Sequence, residues 1–247
     1  MSELLWRALP GVRRGERARF SFFFWLAALL SAAGTLGLAG SEALFLDGLG
    51  PVHLPAAFVG ASLATLGGSI LYAAVVGRAR NDRLFVVLLA GTAASLVLDL
   101  VLLRHGSRDV LGVLFATFYI SQAVFVSLHY WTFATDYFDT RSSKRLFPLL
   151  AVGASLGGML GGAVAVAVSR LLSAQALILA WASVLIAAAL HVRLARSRLL
   201  RWAPIGAAEA DEKSARESNG EPSPETATEA TPAQANQPKK PRVHPRE

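Results

Sequence analysis

The 247-residue chain contains no cysteine, and it has only two methionines. Without cysteine it can form neither a disulfide framework nor a thiolate metal or redox site. Its histidines are few and scattered, and none has the close spacing that metal sites use. They are His53, His105, His129, His191 and His244. The sequence therefore predicts no bound metal and no cofactor.

Charged residues are nearly absent from six long stretches, in which only Glu42 and Asp99 carry charge. These stretches cover residues 20–46, 54–77, 84–103, 110–135, 146–169 and 174–192. Each holds roughly 19 or more mostly apolar residues, enough to cross a hydrocarbon core about 30 Å thick. Because the backbone must satisfy its own hydrogen bonds in lipid, all six are expected to be helices. The predicted fold is an all-α polytopic membrane protein with six transmembrane helices, in contact with the lipid bilayer.

The basic residues alternate between the two sides of the predicted bundle. One side carries Arg7, Arg13, Arg14, Arg17, Arg19, Arg78, Arg80, Arg83, Arg141, Lys144, Arg145, Arg193, Arg196, Arg198 and Arg201, and the other has Arg104, Arg108 and Arg170. The positive-inside rule predicts a cell (inner or plasma) membrane protein with both termini in the cytoplasm. No basic patch is interleaved with stacking aromatic residues, so no nucleic-acid partner is expected.

Composition divides the chain into three parts. Residues 1–19 form a basic cytoplasmic N-terminus, and residues 20–202 form the six-helix transmembrane domain. Residues 203–247 carry seven of the eleven prolines and almost no large apolar side chains. Such a segment buries too little surface to offset its ordering entropy, so a disordered cytoplasmic tail is expected.

The fifth span carries a repeating glycine pattern. Its glycines are Gly153, Gly157, Gly158, Gly161 and Gly162. Three of them recur every four residues and the other two repeat that spacing, which predicts a bare helix face where another helix packs closely. The same stretch matches the Gly-x-Ser-x-Gly nucleophile pattern, with His191 as a candidate base for an intramembrane protease. That motif needs a strand-to-helix turn, so Ser155 is interpreted as a packing residue, with no catalytic residues and no enzyme expected.

Polar side chains form stripes on three spans. The stripe on the fourth span comprises Gln122, His129, Thr132 and Asp136. Three of these lie seven residues apart, drift only about 20° per step on an α-helix, and so share one face. The first span offers Ser31, Thr35 and Glu42, and the second offers Ser62, Thr65, Ser69 and Tyr72. Polar groups at this depth usually face a bundle interior or a wet cavity. The stripes therefore predict the walls of a solute pathway, with interhelical hydrogen bonding as the alternative.

Two motifs carry a family resemblance. The stretch from His129 to Asp139, followed by Lys144-Arg145-Leu-Phe and the glycine-rich span, resembles the nucleotide-translocase (ATP/ADP carrier-like) branch of the major facilitator superfamily. The stretch from Glu42 to Leu46 resembles the end of that family's first span. The family has about twelve spans, in two halves around a central site. The resemblance implies an N-terminal six-helix half, which moves a small anionic or nucleotide-like solute by alternating access with a second copy or a separate second half.

Two positions depart from the family's pattern. A basic residue usually precedes Glu42, where this chain has Ser41, and an asparagine usually stands at Thr135. Phosphates need cationic partners, so the remaining candidates are Lys144 and Arg145, near a helix N-terminus that adds positive potential. Anchoring by the positive-inside rule is the alternative role of both. A non-transporting membrane assembly module and an inactive truncated transporter are the alternative functions.

Overall fold

The computed structural model describes residues 12–78 and 80–202, except for the side chains of residues 125–127. These residues form helices α1 (Arg17–Leu49), α2 (Leu54–Val75), α3 (Asn81–Arg104), α4 (Val110–Ser121), α5 (Tyr130–Thr135), α6 (Thr140–Leu171) and α7 (Ala174–Arg201). A π-helical segment, Gln122–His129, joins α4 to α5 without a break. The predicted tail and the first eleven residues of the predicted N-terminus lie outside the described residues.

Five of the described helices are long and apolar enough to cross a membrane: α1, α2, α3, α6 and α7. The fourth predicted span is divided by the π segment, and its shorter apolar helix covers Val110–Val124. The prediction of an all-α polytopic membrane protein is confirmed. Helices α1, α6 and α7 run beyond the predicted spans into charged sequence, because a helix does not have to end where its hydropathy falls.

Helix α1 lies at the centre of the bundle and packs against α6, α7 and α4. Its side chains Phe20, Phe23 and Leu26 are fully buried, among rings and aliphatic groups from α5, α6 and α7. Helix α3 packs mainly on α7, and α2 packs mainly on α4. Helix α1 therefore provides the surface on which α4, α6 and α7 pack.

Two helices leave wide apolar faces uncovered. On α2 the exposed side chains include Leu63, Leu66 and Ile70, and on α6 they include Met159 and Leu160. A soluble domain rarely exposes large contiguous apolar patches. In a bilayer such faces contact acyl chains or another transmembrane segment.

Candidate functional site

His129 is fully buried at the point where α2, α3 and the π segment meet. Its Nδ1 lies 2.8 Å from the hydroxyl of Tyr72, and its Nε2 lies 3.1 Å from the main-chain oxygen of Asn81. A carbonyl can only accept, so Nε2 carries the proton, and in the neutral ring Nδ1 accepts the Tyr72 hydroxyl proton. The ring of Phe85 packs edge-on against the imidazole, 4.6 Å away. Both ring nitrogens are thus satisfied without water.

Asp136 extends this arrangement by one residue. The amide Nδ2 of Asn81 donates to its Oδ2 over 2.5 Å. Asp136 is half-buried, and this burial raises the pKa of its carboxyl, while the hydrogen bond from Asn81 acts in the opposite direction. We call Tyr72, Asn81, His129 and Asp136 the His129 cluster. It links α2, α3 and the fourth predicted span at the arginine-rich end of the bundle.

The π segment determines where His129 lies. Its hydrogen bonds run from residue i to i+5, so each turn holds more residues than an α-turn does. Positions seven apart across it therefore do not return to one face, contrary to the prediction for Gln122 and His129. Gln122 instead lies against α1, where its side chain fills the space beside Gly34. Such π segments are frequent at functional sites of proteins.

After the π segment, α5 is held on α1 by aromatic residues. The hydroxyl of Tyr130 donates to the main-chain oxygen of Phe23 at 3.1 Å, and the ring of Phe133 packs on Phe23. These contacts turn the opposite side of the chain, which carries His129, towards α2 and α3. Thr132, expected on the same stripe, is exposed, and its hydroxyl donates to the main-chain oxygen of Leu128.

Glu42 lies on α1, far along the helix from the cluster. It is half-buried. The preceding Ser41 is fully buried, with its hydroxyl donating to the main-chain oxygen of Gly37 over 2.7 Å. The structure therefore does not bring Glu42 together with His129 or Asp136.

The two cationic candidates at the start of α6 differ in environment. Arg145 forms an ion pair with Glu16, with an Nη2–Oε2 distance of 2.6 Å. The hydroxyl of Ser142 donates to the same carboxylate, so Glu16 ties the start of α1 to the start of α6. Lys144 is exposed. Arg145 therefore has a structural partner that balances its charge.

The α6 glycines lie along α1. A Cβ at Gly157 would overlap the backbone of Ala28, and one at Gly161 would come within 2.7 Å of the Ala32 oxygen. Gly153 meets Phe24 in the same way, at 2.8 Å from its ring. At Gly158 and Gly162 a Cβ would have more room, since the nearest atoms are 3.2 Å and 3.9 Å away, on Ser31 and Thr35.

Two residues of the site were missed in the sequence. Asn81 stands among Arg80, Asp82 and Arg83 at the start of α3, and nothing in this polar stretch distinguishes it from an ordinary helix terminus. Glu16 is separated by 129 residues from its partner Arg145, so only the tertiary fold pairs them. The sequence predicts Tyr72 on the polar stripe of the second span and its partner His129 on the stripe of the fourth span, so it does not pair them.

No metal-binding or protease arrangement is formed within the described residues. Groups of three or more histidine, aspartate or glutamate side chains suited to a metal ion are absent from residues 12–78 and 80–202. The hydroxyl of Ser155 donates to the main-chain oxygen of Ala151, and His191 stacks on Phe22 with its Nε2 at 3.2 Å from the oxygen of that residue. Ser155 and His191 thus have separate local partners.

Residues 112–199 match the family model of TLC ATP/ADP transporters. The match begins in α4, ends in α7 and covers about a third of the chain. It includes the candidate residues of the fourth and fifth spans, but neither Glu42 nor the polar stripes of the first two spans. Comparison with curated proteins and with solved structures gives no significant match. The chain is a membrane protein related in this region to nucleotide transporters, and the matched family is one of transporters rather than enzymes.

Proposed function

We propose that this chain is a six-span half of a transporter that moves a nucleotide-like anion by alternating access. The family match over residues 112–199 carries the proposal, because it contains the π segment, the His129–Asp136 part of the cluster and the glycine face of α6. In the proposal the bundle lies in the cell membrane with both termini in the cytoplasm. The His129 cluster then lies at the cytoplasmic end of the pathway.

The need for a second half follows from how such transporters are built. Superfamily members hold their substrate between two six-helix halves, and a single half offers only one wall. The exposed apolar faces of α2 and α6 supply surfaces on which a second copy or a separate half could pack. This arrangement also leaves Glu42 of α1 and Tyr119 of α4, both half-buried, available to a shared interior.

The anion is proposed to meet Lys144 first. Lys144 is exposed in the second turn of α6, near the helix N-terminus, which adds positive potential. Arg145 serves the protein differently, since Glu16 already balances its charge. Asp136 is proposed to take part in the conformational change through its hydrogen bond with Asn81.

Uptake by proteoliposomes tests the proposal. The purified assembly, whose mass in detergent gives the number of six-span units, is reconstituted and supplied with labelled ATP, ADP, AMP or phosphate. We expect uptake of at least one of them, and we expect Lys144→Gln to raise its half-saturating concentration. Arg141→Gln is the control, because Arg141 is an exposed arginine in the preceding turn of the same helix. Uptake equal to that of empty liposomes for all four solutes, with an assembly of at least two halves, would contradict the proposal.

One observation favours the non-transporting assembly module as a second candidate. This chain has Ser41 where the nucleotide-translocase family that it resembles usually has a basic residue. Ser41 is buried and hydrogen-bonded within α1. With Arg145 paired as well, Lys144 is the one that is left of the two candidate cations at the start of α6. A stable complex with another membrane protein, together with no solute binding, would favour the module over the transporter.

A further inference from the structure

A second polar feature lies between the ends of α3 and α7, and no residue of the His129 cluster lines it. It is a cavity of about 290 Å³, open to the surroundings. Its lining residues are Asp82, Arg83, Val86, Val87, Val192, Arg193 and Arg196. The proposed transport function uses none of these residues.

The charges around this cavity do not cancel. Asp82 is the only carboxylate among the lining residues, and it is 5% exposed. Its oxygens pair with Nε of Arg80 at 3.0 Å and with Nε of Arg196 at 3.5 Å. One carboxylate thus already has two guanidinium partners. Arg83 and Arg193 are both exposed on the same rim, and their charges are left over for an anion.

The wall beyond the arginines is apolar. Val86 and Val87 follow Arg83 by about one turn on α3, in the direction of the membrane-spanning part of the helix. Val192 is buried beneath them, whereas Val87 is 66% exposed. A cationic rim followed at once by an aliphatic wall fits a ligand that has a phosphate next to a hydrocarbon chain.

We propose that this cavity binds the phosphate of an anionic phospholipid, with an acyl chain lying along Val86 and Val87. Guanidinium groups suit this role because they bind phosphate oxygens in a bidentate manner. Basic pockets between transmembrane helices are known to hold anionic headgroups. A free phosphate or nucleotide shares the headgroup chemistry but has no hydrocarbon chain to lie along Val86 and Val87. The proposal does not depend on whether the chain transports a solute.

Native mass spectrometry of the full chain in detergent tests the site. Phosphatidylglycerol and phosphatidylcholine with the same acyl chains are added separately, and the bound fraction is measured. We expect phosphatidylglycerol to be retained in preference, and Arg83→Gln with Arg193→Gln to weaken its binding by about tenfold or more. The double variant spares Arg80, Arg196 and Asp82, so the ion pairs of the buried carboxylate stay intact.

The matched control is Arg141→Gln with Arg201→Gln, which removes the same charge from exposed arginines at the same end of the bundle. Equal loss in both double variants would show only a general charge effect and would overturn the site. Retention of phosphatidylcholine as strong as that of phosphatidylglycerol would overturn it too. Inorganic phosphate or ATP that displaces phosphatidylglycerol at equal concentration would identify a free-phosphate site instead of a lipid site.

Discussion

The hydroxyl of Tyr72 is the contact that joins α2 to the buried imidazole of His129. Buried polar atoms that lose a partner cost more than the hydrogen bond itself contributes, because the other partner is left without water. His129 is fully buried, so water cannot replace a lost hydrogen bond. Its two hydrogen bonds, with Tyr72 and with the Asn81 backbone, therefore hold α2 and α3 against the π segment.

Replacing Tyr72 with phenylalanine should remove the hydrogen bond to His129 while keeping the aromatic ring. Because Nδ1 of His129 loses its partner, we expect the variant to lose about 1–3 kcal/mol of stability, seen as a lower unfolding temperature in detergent. Tyr119→Phe removes the same hydroxyl from a half-buried tyrosine outside the His129 cluster and is the control. Equal unfolding temperatures for the two variants would mean that the Tyr72 hydroxyl contributes no more stability than the Tyr119 hydroxyl does.

Asp136 should make stability depend on pH in an unusual direction for an aspartate. Burial raises the pKa of its carboxyl above the ordinary value of 3.8, so the folded state holds the proton more tightly than the unfolded state does. Its stabilising contribution is complete below that ordinary value and is lost as the pH rises through the raised pKa. We expect Asp136→Asn to lack this decline, measured as the difference in unfolding temperature from the parent across an acid-to-neutral series. A difference in unfolding temperature that stays constant across the pH series would contradict the raised pKa of Asp136.

At the scale of helices, α1 and α6 approach each other so closely that their backbones meet. This closeness comes from the three α6 glycines whose missing side chains let the backbones meet. At Gly158 an added Cβ would lie 3.2 Å from the Ser31 hydroxyl, a tight contact with a side-chain atom, and at Gly162 it would lie at an ordinary 3.9 Å from Thr35. One helix therefore carries glycines with and without room for a side chain within a few residues.

Gly157→Ala and Gly162→Ala should separate these two kinds. The added methyl overlaps the Ala28 backbone in the first variant, so we expect a loss of about 1–3 kcal/mol, typical of overpacking. In the second it lies 3.9 Å from the nearest Thr35 atom, and alanine's better helix propensity makes a neutral or slightly stabilising effect the expected result. Unfolding temperatures and folded yields in detergent measure both. A Gly157→Ala protein as stable as the parent would mean that the helices are further apart.

The sequence predicted the helices well and the polar stripe poorly, for different physical reasons. Lipid imposes long apolar helices directly, so hydropathy located five helices long enough to cross the membrane, whereas the fourth predicted span is divided by the π segment. The face shared by Gln122 and His129 was derived from an α-helical repeat, and an eight-residue π segment invalidates that repeat. The pairing of Arg145 with Glu16 depends on two distant helices meeting, which no local pattern encodes. The glycine repeat was informative because only a close backbone contact requires it.

At the scale of the whole molecule, the arginines define one end of the bundle. Arg80, Arg145 and Arg196 take part in ion pairs there, and Arg83 and Arg193 border the proposed lipid cavity. The arginines that predict the orientation of the chain thus also form ion pairs within the bundle. The orientation itself stays a prediction from the positive-inside rule.

Single cysteines can test the orientation cleanly, because the chain has none of its own. We expect cysteines at the exposed positions Asp47 and Ser107 to react with an impermeant thiol reagent in intact cells. Cysteines at Arg78 and Arg141, exposed at the other end, should react only after the membrane is opened. Labelling of all four in intact cells, or the reverse pattern, would contradict the predicted orientation.

The central position of α1 has a consequence for biosynthesis. Glu16 meets a partner 129 residues later in the chain, and Ala28 meets Gly157 across the same interval. At about 5–20 residues per second, a ribosome needs on the order of ten seconds to deliver that partner. During this time α1 is in the membrane without the helix that covers its backbone groove. The nascent first helix must therefore be sheltered by lipid or by the insertion machinery until α6 arrives, and a slower ribosome would lengthen its exposure.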